Sequence, residues 1–153
     1  DRGVMEESQV IADFKKELPE CSDEIDRFWD DEVELIREFD YAGPMIKGLK
    51  KAGYKVYLLS NYPHRMHDLH WPRFSFIEAI DGKVVSALEH MVKPNMEIYE
   101  LLINRYNLEP AETVFLDDRQ VNVDAAKKTG MQGIVFTSYE NAKTELEKMG
   151  VTF

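Results

Sequence analysis

Apolar positions in the first forty residues recur every three or four places, separated by acids. SQVIADFKKEL at 8–18 and SDEIDRFWDDEVELIREF at 22–39 each predict an amphipathic helix. In the second, Ile25, Phe28, Trp29, Val33, Ile36 and Phe39 share a face, and Ser22 is the candidate N-cap. Core packing is the expected role of Phe28 and Trp29, with lining of a substrate entrance as the alternative. From Tyr41 the pattern changes. Residues 44–51 predict a short helix stopped by Gly53, and YKVYLLS at 54–60 is apolar enough for a strand buried on both faces. A helix follows around 64–71, then one or two short apolar pieces at 74–85 around the turn Asp81-Gly82. NMEIYELLINRY at 95–106 predicts a helix entered through Pro94, and TVFLD at 113–117 a second buried strand. The remaining elements are a helix at 119–129 stopped by Gly130, a strand GIVF at 133–136 and a closing helix at 141–149.

Buried strands alternating with helices imply an α/β fold, its mostly parallel sheet covered on both faces. Active sites of such sheets lie beyond the carboxyl ends of the strands. Three places in the chain belong there: Ser60-Asn61, the loop ahead of Lys93, and Asp117-Asp118.

The adjacent carboxylates Asp117 and Asp118 repel each other, and each is costly to desolvate. A hard cation relieves both problems, and Mg²⁺ uses one or two carboxylates while keeping waters and phosphate oxygens. The alternative is an aspartate capping the helix at 119–129 beside a solvated neighbour. A hydroxyl at a strand end, as at Ser60, suits a phosphate oxygen, with the following backbone N–H groups adding to the cradle. Lys93 precedes a helix, where a cation opposes the macrodipole. Its place makes sense if it compensates a phosphate or a neighbouring carboxylate. Arg65 follows Ser60 closely enough to be a candidate substrate contact. His64, His67 and His70 repeat every three residues, but the first and last drift apart around a helix. One at a pocket rim and the others in solvent is the expectation, rather than a zinc site.

Charge narrows the partners. The 153 residues carry a formal net charge of −10, and residues 1–42 hold fifteen Asp and Glu against five Lys and Arg, while 43–153 hold fourteen of each. The excess acid would repel a nucleic-acid backbone, and no basic stripe offsets it. No apolar run approaches the ~20 residues that span a bilayer, so no membrane partner is expected. DRGVMEESQV has neither the basic start nor the apolar stretch of a secretory signal. The lone Cys21 cannot form an internal disulfide, which fits a reducing compartment and makes the cytoplasm the default. With 44% hydrophobic residues, one modest core is expected.

LLSN at 58–61, KPNMEIY at 93–99 and FLDDRQVNVDAAKKTG at 115–130 resemble the second, third and fourth motifs of the haloacid dehalogenase-like hydrolase superfamily. The nearest subgroup carries a small helical cap and includes bacterial α-glucose-1-phosphate phosphatase and the N-terminal phosphatase domain of soluble epoxide hydrolase. The resemblance implies a three-layer, Rossmann-like core at 43–153 and a partial helical cap at 1–42. It implies that Ser60 and the Asn61 backbone hold the transferring phosphoryl group, and that Lys93 neutralises it and the nucleophile. It implies Asp118 as the direct Mg²⁺ ligand, with Asp117 ligating or holding a metal-bound water, Asn122 supporting the loop, and Asp124 structural.

The chain departs from the family in one serious respect. The family's first motif, a central strand ending in Asp-x-Asp, has no counterpart before Tyr54; Asp30-Asp31 lies in a helix. The missing strand would lie between those leading to Ser60 and Asp117, so an upstream segment carrying it is expected. A lesser departure is SALEHMVKP at 86–94, where relatives have glycines at the positions of Ala87 and His90. The expected function is Mg²⁺-dependent hydrolysis of a small phosphorylated metabolite, with a sugar phosphate preferred by resemblance. A 2-haloacid dehalogenase and a non-catalytic, partner-binding protein are the alternatives. The Asp117-Asp118 pair argues against the dehalogenase, since it would repel a carboxylate substrate.

Overall fold

The computed structural model describes residues 2–153, and for Val33 the backbone only. Two helices open the chain, α1 (Glu7–Glu17) and α2 (Ser22–Asp31). The helix expected over 22–39 ends eight residues early, in a single 3₁₀ turn at Glu32–Glu34. Asp30, Asp31 and Glu32 crowd the end of α2, where the macrodipole disfavours acids, and Glu32 is instead drawn inward to Arg65. Ser22 is the first helical residue, not the cap, and its hydroxyl makes no capping bond. On the predicted apolar face Phe28 is 54% exposed and Trp29 half-buried against Phe14, so neither is core. The side chain of Val33, assigned to the same face, lies outside the described residues.

The rest follows the α/β pattern: α3 (Ala42–Lys51), β1 (Tyr57–Ser60), α4 (His64–His70), β2 (Gly82–Val85), α5 (Ser86–Glu89), α6 (Met96–Tyr106), β3 (Val114–Asp117), α7 (Gln120–Lys128), β4 (Gln132–Val135) and α8 (Tyr139–Lys148). The apolar piece near Asp81-Gly82 is a true strand, β2, parallel to β1 in the register Leu59 to Val84. β3 pairs with β4, also in parallel.

These four strands form two separate pairs, β2–β1 and β3–β4. Between the open edges of β1 and β3 lies a cleft of about 710 Å³, lined by Tyr57, Leu59, Val114, Leu116, Leu102 and Phe136 among others. That gap explains why the segment at 54–60, expected to be buried on both faces, buries only Leu59. One helix bridges it. From α6, Tyr106 exchanges hydrogen bonds with the Lys83 backbone at 2.8 and 2.9 Å, while Tyr99 meets Phe115 edge-on at 5.5 Å. Gly82 is required there, because a Cβ would fall 2.3 Å from the Tyr106 ring.

Among the described residues every buried hydrophobic side chain lies at Leu59 or later. The acidic segment is tied down differently. Glu34 pairs with Arg73 at 3.4 Å, and Glu38 accepts from the Ser75 N–H and hydroxyl, both at 2.7 Å. The fold is thus an α/β core with parallel strands and a helical cap, the acidic segment tied to the core by polar contacts such as these.

Candidate active site

The carboxyl ends of β1 and β3 converge, as the sequence implied. Lys93 is the link. Its Nζ donates to the Leu59 carbonyl at 2.9 Å and to Asp117 Oδ2 at 2.6 Å, so it spans the gap between the two strand pairs. Its side chain is 9% exposed and that of Asp117 5%. Asn61 fixes the lysine loop from below: its Nδ2 donates to the Lys93 carbonyl at 3.0 Å, and the Lys93 N–H donates to Asn61 Oδ1 at 2.8 Å. The sequence suggested only a backbone role for Asn61; the side chain bonds both backbone groups of Lys93.

Asp117 Oδ1 accepts from the Arg119 N–H at 3.0 Å and from Asn122 Nδ2 at 2.8 Å. Burial opposes ionisation of Asp117, but the bonds from Lys93, Arg119 and Asn122 outweigh it and hold the carboxyl below its ordinary value. Tyr99 secures Asn122 in turn, donating to its carbonyl at 3.0 Å. Sequence reasoning passed over Tyr99, although its place in KPNMEIY, on the buried face of the helix after Lys93, was a usable signal. It also missed Ser86, whose Oγ accepts from the Tyr62 N–H at 2.9 Å and donates to the Tyr62 carbonyl at 3.3 Å, pinning the loop after Ser60.

Ser60 closes β1 at the same end of the molecule and is half-buried. Asp118 is exposed and has no hydrogen bond or ion pair among the described residues. The two aspartates therefore divide: Asp117 has both oxygens engaged, and Asp118 has both free. Asn122 Oδ1 is buried without a partner. A free, exposed carboxylate at the end of β3 fits Mg²⁺, which needs few protein ligands and keeps waters. Among the described residues no three His, Cys, Asp or Glu side chains gather into a metal cage.

Arg65 stands apart. Its guanidinium contacts Glu7 at 2.8 Å and Glu32 at 3.1 Å, joining α4 to the acidic segment. The histidines also depart from expectation. His70, rather than being solvated, is 1% exposed and shares a 2.8 Å hydrogen bond with the Tyr62 hydroxyl. His67 packs on Trp71 with the rings tilted and their centroids 4.5 Å apart, and His64 pairs with Asp68. At the glycine-poor loop, His90 adopts φ 55°, the left-handed region that favours glycine. Ala87 is buried under Gly3, where a Cβ would lie 2.5 Å from the Ala87 carbonyl oxygen.

Known proteins resemble this chain in sequence and in fold. The chain is 35% identical over 109 residues to the sesquiterpene phosphatase astK of Aspergillus oryzae, covering 69% of this chain and 54% of that protein. It is 33% identical over 144 residues to D-ribitol-5-phosphate phosphatase of Bacteroides thetaiotaomicron, covering 84% of this chain and 67% of that one. A predicted HAD-like hydrolase from Porphyromonas gingivalis superposes with a TM-score of 0.78 at 21% identity, covering 99% of this chain and 77% of that structure. A HAD-family enzyme of Bacteroides thetaiotaomicron, solved with magnesium and inorganic phosphate, superposes with a TM-score of 0.65 at 22% identity, covering 92% and 75%. The chain spans roughly half the length of the first of these curated relatives. Residues 6–130 match the haloacid dehalogenase-like hydrolase family, and the chain belongs to it.

Proposed function

We propose that this chain is the greater part of a Mg²⁺-dependent phosphomonoester hydrolase acting on a small phosphorylated metabolite. One observation carries the reading: the buried Lys93 ammonium links the carbonyl of Leu59 in β1 to Asp117 in β3, with Ser60 and the free Asp118 at the same strand ends. A lysine so placed offsets anionic charge arriving between the two strands.

Neighbouring parallel strands lie about 4.8 Å apart, and the cleft between β1 and β3 presents an open edge on either side. A strand filling it would satisfy both edges and end beside Lys93. The nucleophile is an aspartate at the end of that strand, belonging to a segment ahead of residue 1, and residues 1–42 are part of the cap. Its carboxylate attacks phosphorus and the ester oxygen leaves as the alcohol, taking a proton from a neighbouring acid. Water then hydrolyses the aspartyl-phosphate, releasing inorganic phosphate and restoring the carboxylate. Ser60 and the Asn61 N–H bind non-bridging phosphate oxygens, and Lys93 offsets their charge and orders the nucleophile. Asp118 would hold Mg²⁺, which when bound adds positive charge against the phosphate oxygens. Asp117 and Asn122 keep the Lys93 ammonium and the metal loop in place.

The magnesium- and phosphate-bound relative supports the metal. One relative is a D-ribitol-5-phosphate phosphatase and another a sesquiterpene phosphatase, so the relatives support a phosphatase with either a polar or an apolar leaving group. Phosphate release from a panel of small phosphomonoesters, with Mg²⁺ and after chelation, tests the reading alongside intact mass. Turnover that requires Mg²⁺ is the expected result. None at a mass of 17.8 kDa would mean that this chain lacks its nucleophile, and none at a greater mass would remove the phosphatase assignment.

A further inference from the structure

A second cavity, about 840 Å³, lies between the acidic helices and α4. Its apolar wall includes Val10, Phe28, Trp29, Leu35, Met66 and Leu69, so Phe28 and Trp29, expected in the core, line a cleft instead. Pro63 and Arg65 lie on its α4 side. Three residues of chain span at most about 11 Å, so a group leaving a phosphate held at Ser60 comes within reach of Pro63 and this wall.

The charges around the cleft discourage a second polar group. Four lining carboxylates, Glu6, Glu7, Glu32 and Asp68, face two guanidiniums, Arg2 and Arg65. Arg65 is already held by Glu7 and Glu32, and Asp68 by His64 and His67. The excess negative charge repels a second phosphate or a carboxylate, and three of the four carboxylates are turned to protein partners rather than to ligand hydroxyls. What the cleft offers a leaving group is apolar surface.

Resting on the phosphatase reading, we infer that the substrate is the phosphomonoester of an apolar alcohol, with an alkyl, isoprenyl or aryl group seated against Phe28, Trp29, Met66 and Leu69, rather than a sugar phosphate. Two measurements separate this inference from the reading beneath it. Turnover of any ester tests the phosphatase assignment. Binding of a non-hydrolysable n-alkylphosphonate series, methyl to octyl, followed by calorimetry and Trp29 fluorescence, tests the substrate class without turnover. Each added methylene should tighten binding about two- to fourfold until the cleft is filled, and Phe28→Ser should flatten that dependence. Phe28 is 54% exposed, so its truncation leaves the core intact. Binding that is independent of chain length, or unaltered in slope by Phe28→Ser, would overturn the inference. So would turnover of ribitol or glucose phosphates with a kcat/KM equal to that of octyl phosphate.

Discussion

Two ion pairs in this molecule each bury a carboxylate, and the two carboxylates behave in opposite ways. Lys93–Asp117 joins β1 to β3 in the core, and Arg65–Glu32 joins α4 to the acidic segment. Both carboxylates are under a tenth exposed. Yet Asp117 is held below its ordinary value, while burial pushes Glu32 above its own against the attraction of Arg65, with Glu7 adding to the push and His70 opposing it. The difference lies in hydrogen bonds. Asp117 accepts from three donors, whereas Glu32 Oε1 meets Arg65 as a charge neighbour without a well-aligned bond, and must share it with Glu7. Burial alone does not fix whether a carboxylate stays charged; the number of aligned donors does.

The comparison breaks first at Lys93. Lys93→Met leaves Asp117 ionised, buried and short of its main partner, and should cost about 3 kcal/mol in urea unfolding at pH 7. Asp117→Asn alongside it should recover most of that loss and restore no turnover. Arg65→Met should cost less, about 1–2 kcal/mol, because burial already opposes the Glu32 charge that Arg65 attracts and Glu32 Oε1 has no aligned hydrogen bond to lose. Equal losses in the two variants would sink the claim that donor number separates the sites.

How much of this could be read along the chain follows the same division. The strand ends were legible because an apolar run meeting Ser-Asn or Asp-Asp is a local signal, and Lys93 before a helix is another. β2 was not, since Gly82-Lys83-Val84-Val85 is too short to show a period, and its pairing to β1 is fixed by distant residues such as Tyr106. The ion pairs of Arg65 were not legible, because its partners, Glu7 and Glu32, lie 58 and 33 residues away in sequence. Phe28 and Trp29 have helical spacing, but periodicity marks an apolar face and not what covers it. The sequence led to the expectation of a further strand between those ending at Ser60 and Asp117, and among the described residues a cleft lies between β1 and β3.

A smaller test sharpens the Asp117 side. Tyr99 donates to the Asn122 carbonyl and is itself fully buried. Tyr99→Phe removes that donor while keeping the ring against Phe115, so about 1 kcal/mol should be lost in urea unfolding. If the Asn122 loop depends on this bond, amide exchange at Asn122 and Val123 should rise in Tyr99→Phe, while amides of α4 stay as they were. A uniform rise would instead report global destabilisation.

The smallest effect is at Glu32, and its sign is the most informative. The folded state raises this carboxyl above its ordinary value of 4.5, so the folded protein binds its proton more tightly than the unfolded chain. Its contribution to stability is therefore fully present below the ordinary value and is lost as pH rises through the higher folded value. Asp117 runs the other way. Its contribution is present above its ordinary value of 3.8 and is lost as pH falls through the lower folded value. Glu32→Gln keeps the shape of the neutral acid and cannot charge, so it should match the parent at pH 4 and exceed it at pH 7 by up to about 1 kcal/mol. Asp117→Asn should match its parent only at the acid extreme and fall below it at pH 7. Urea unfolding of both variants across that range decides the matter. If Glu32→Gln is less stable than the parent at pH 7, the Arg65 pair stabilises the charged form after all, and the two sites differ in degree rather than in direction.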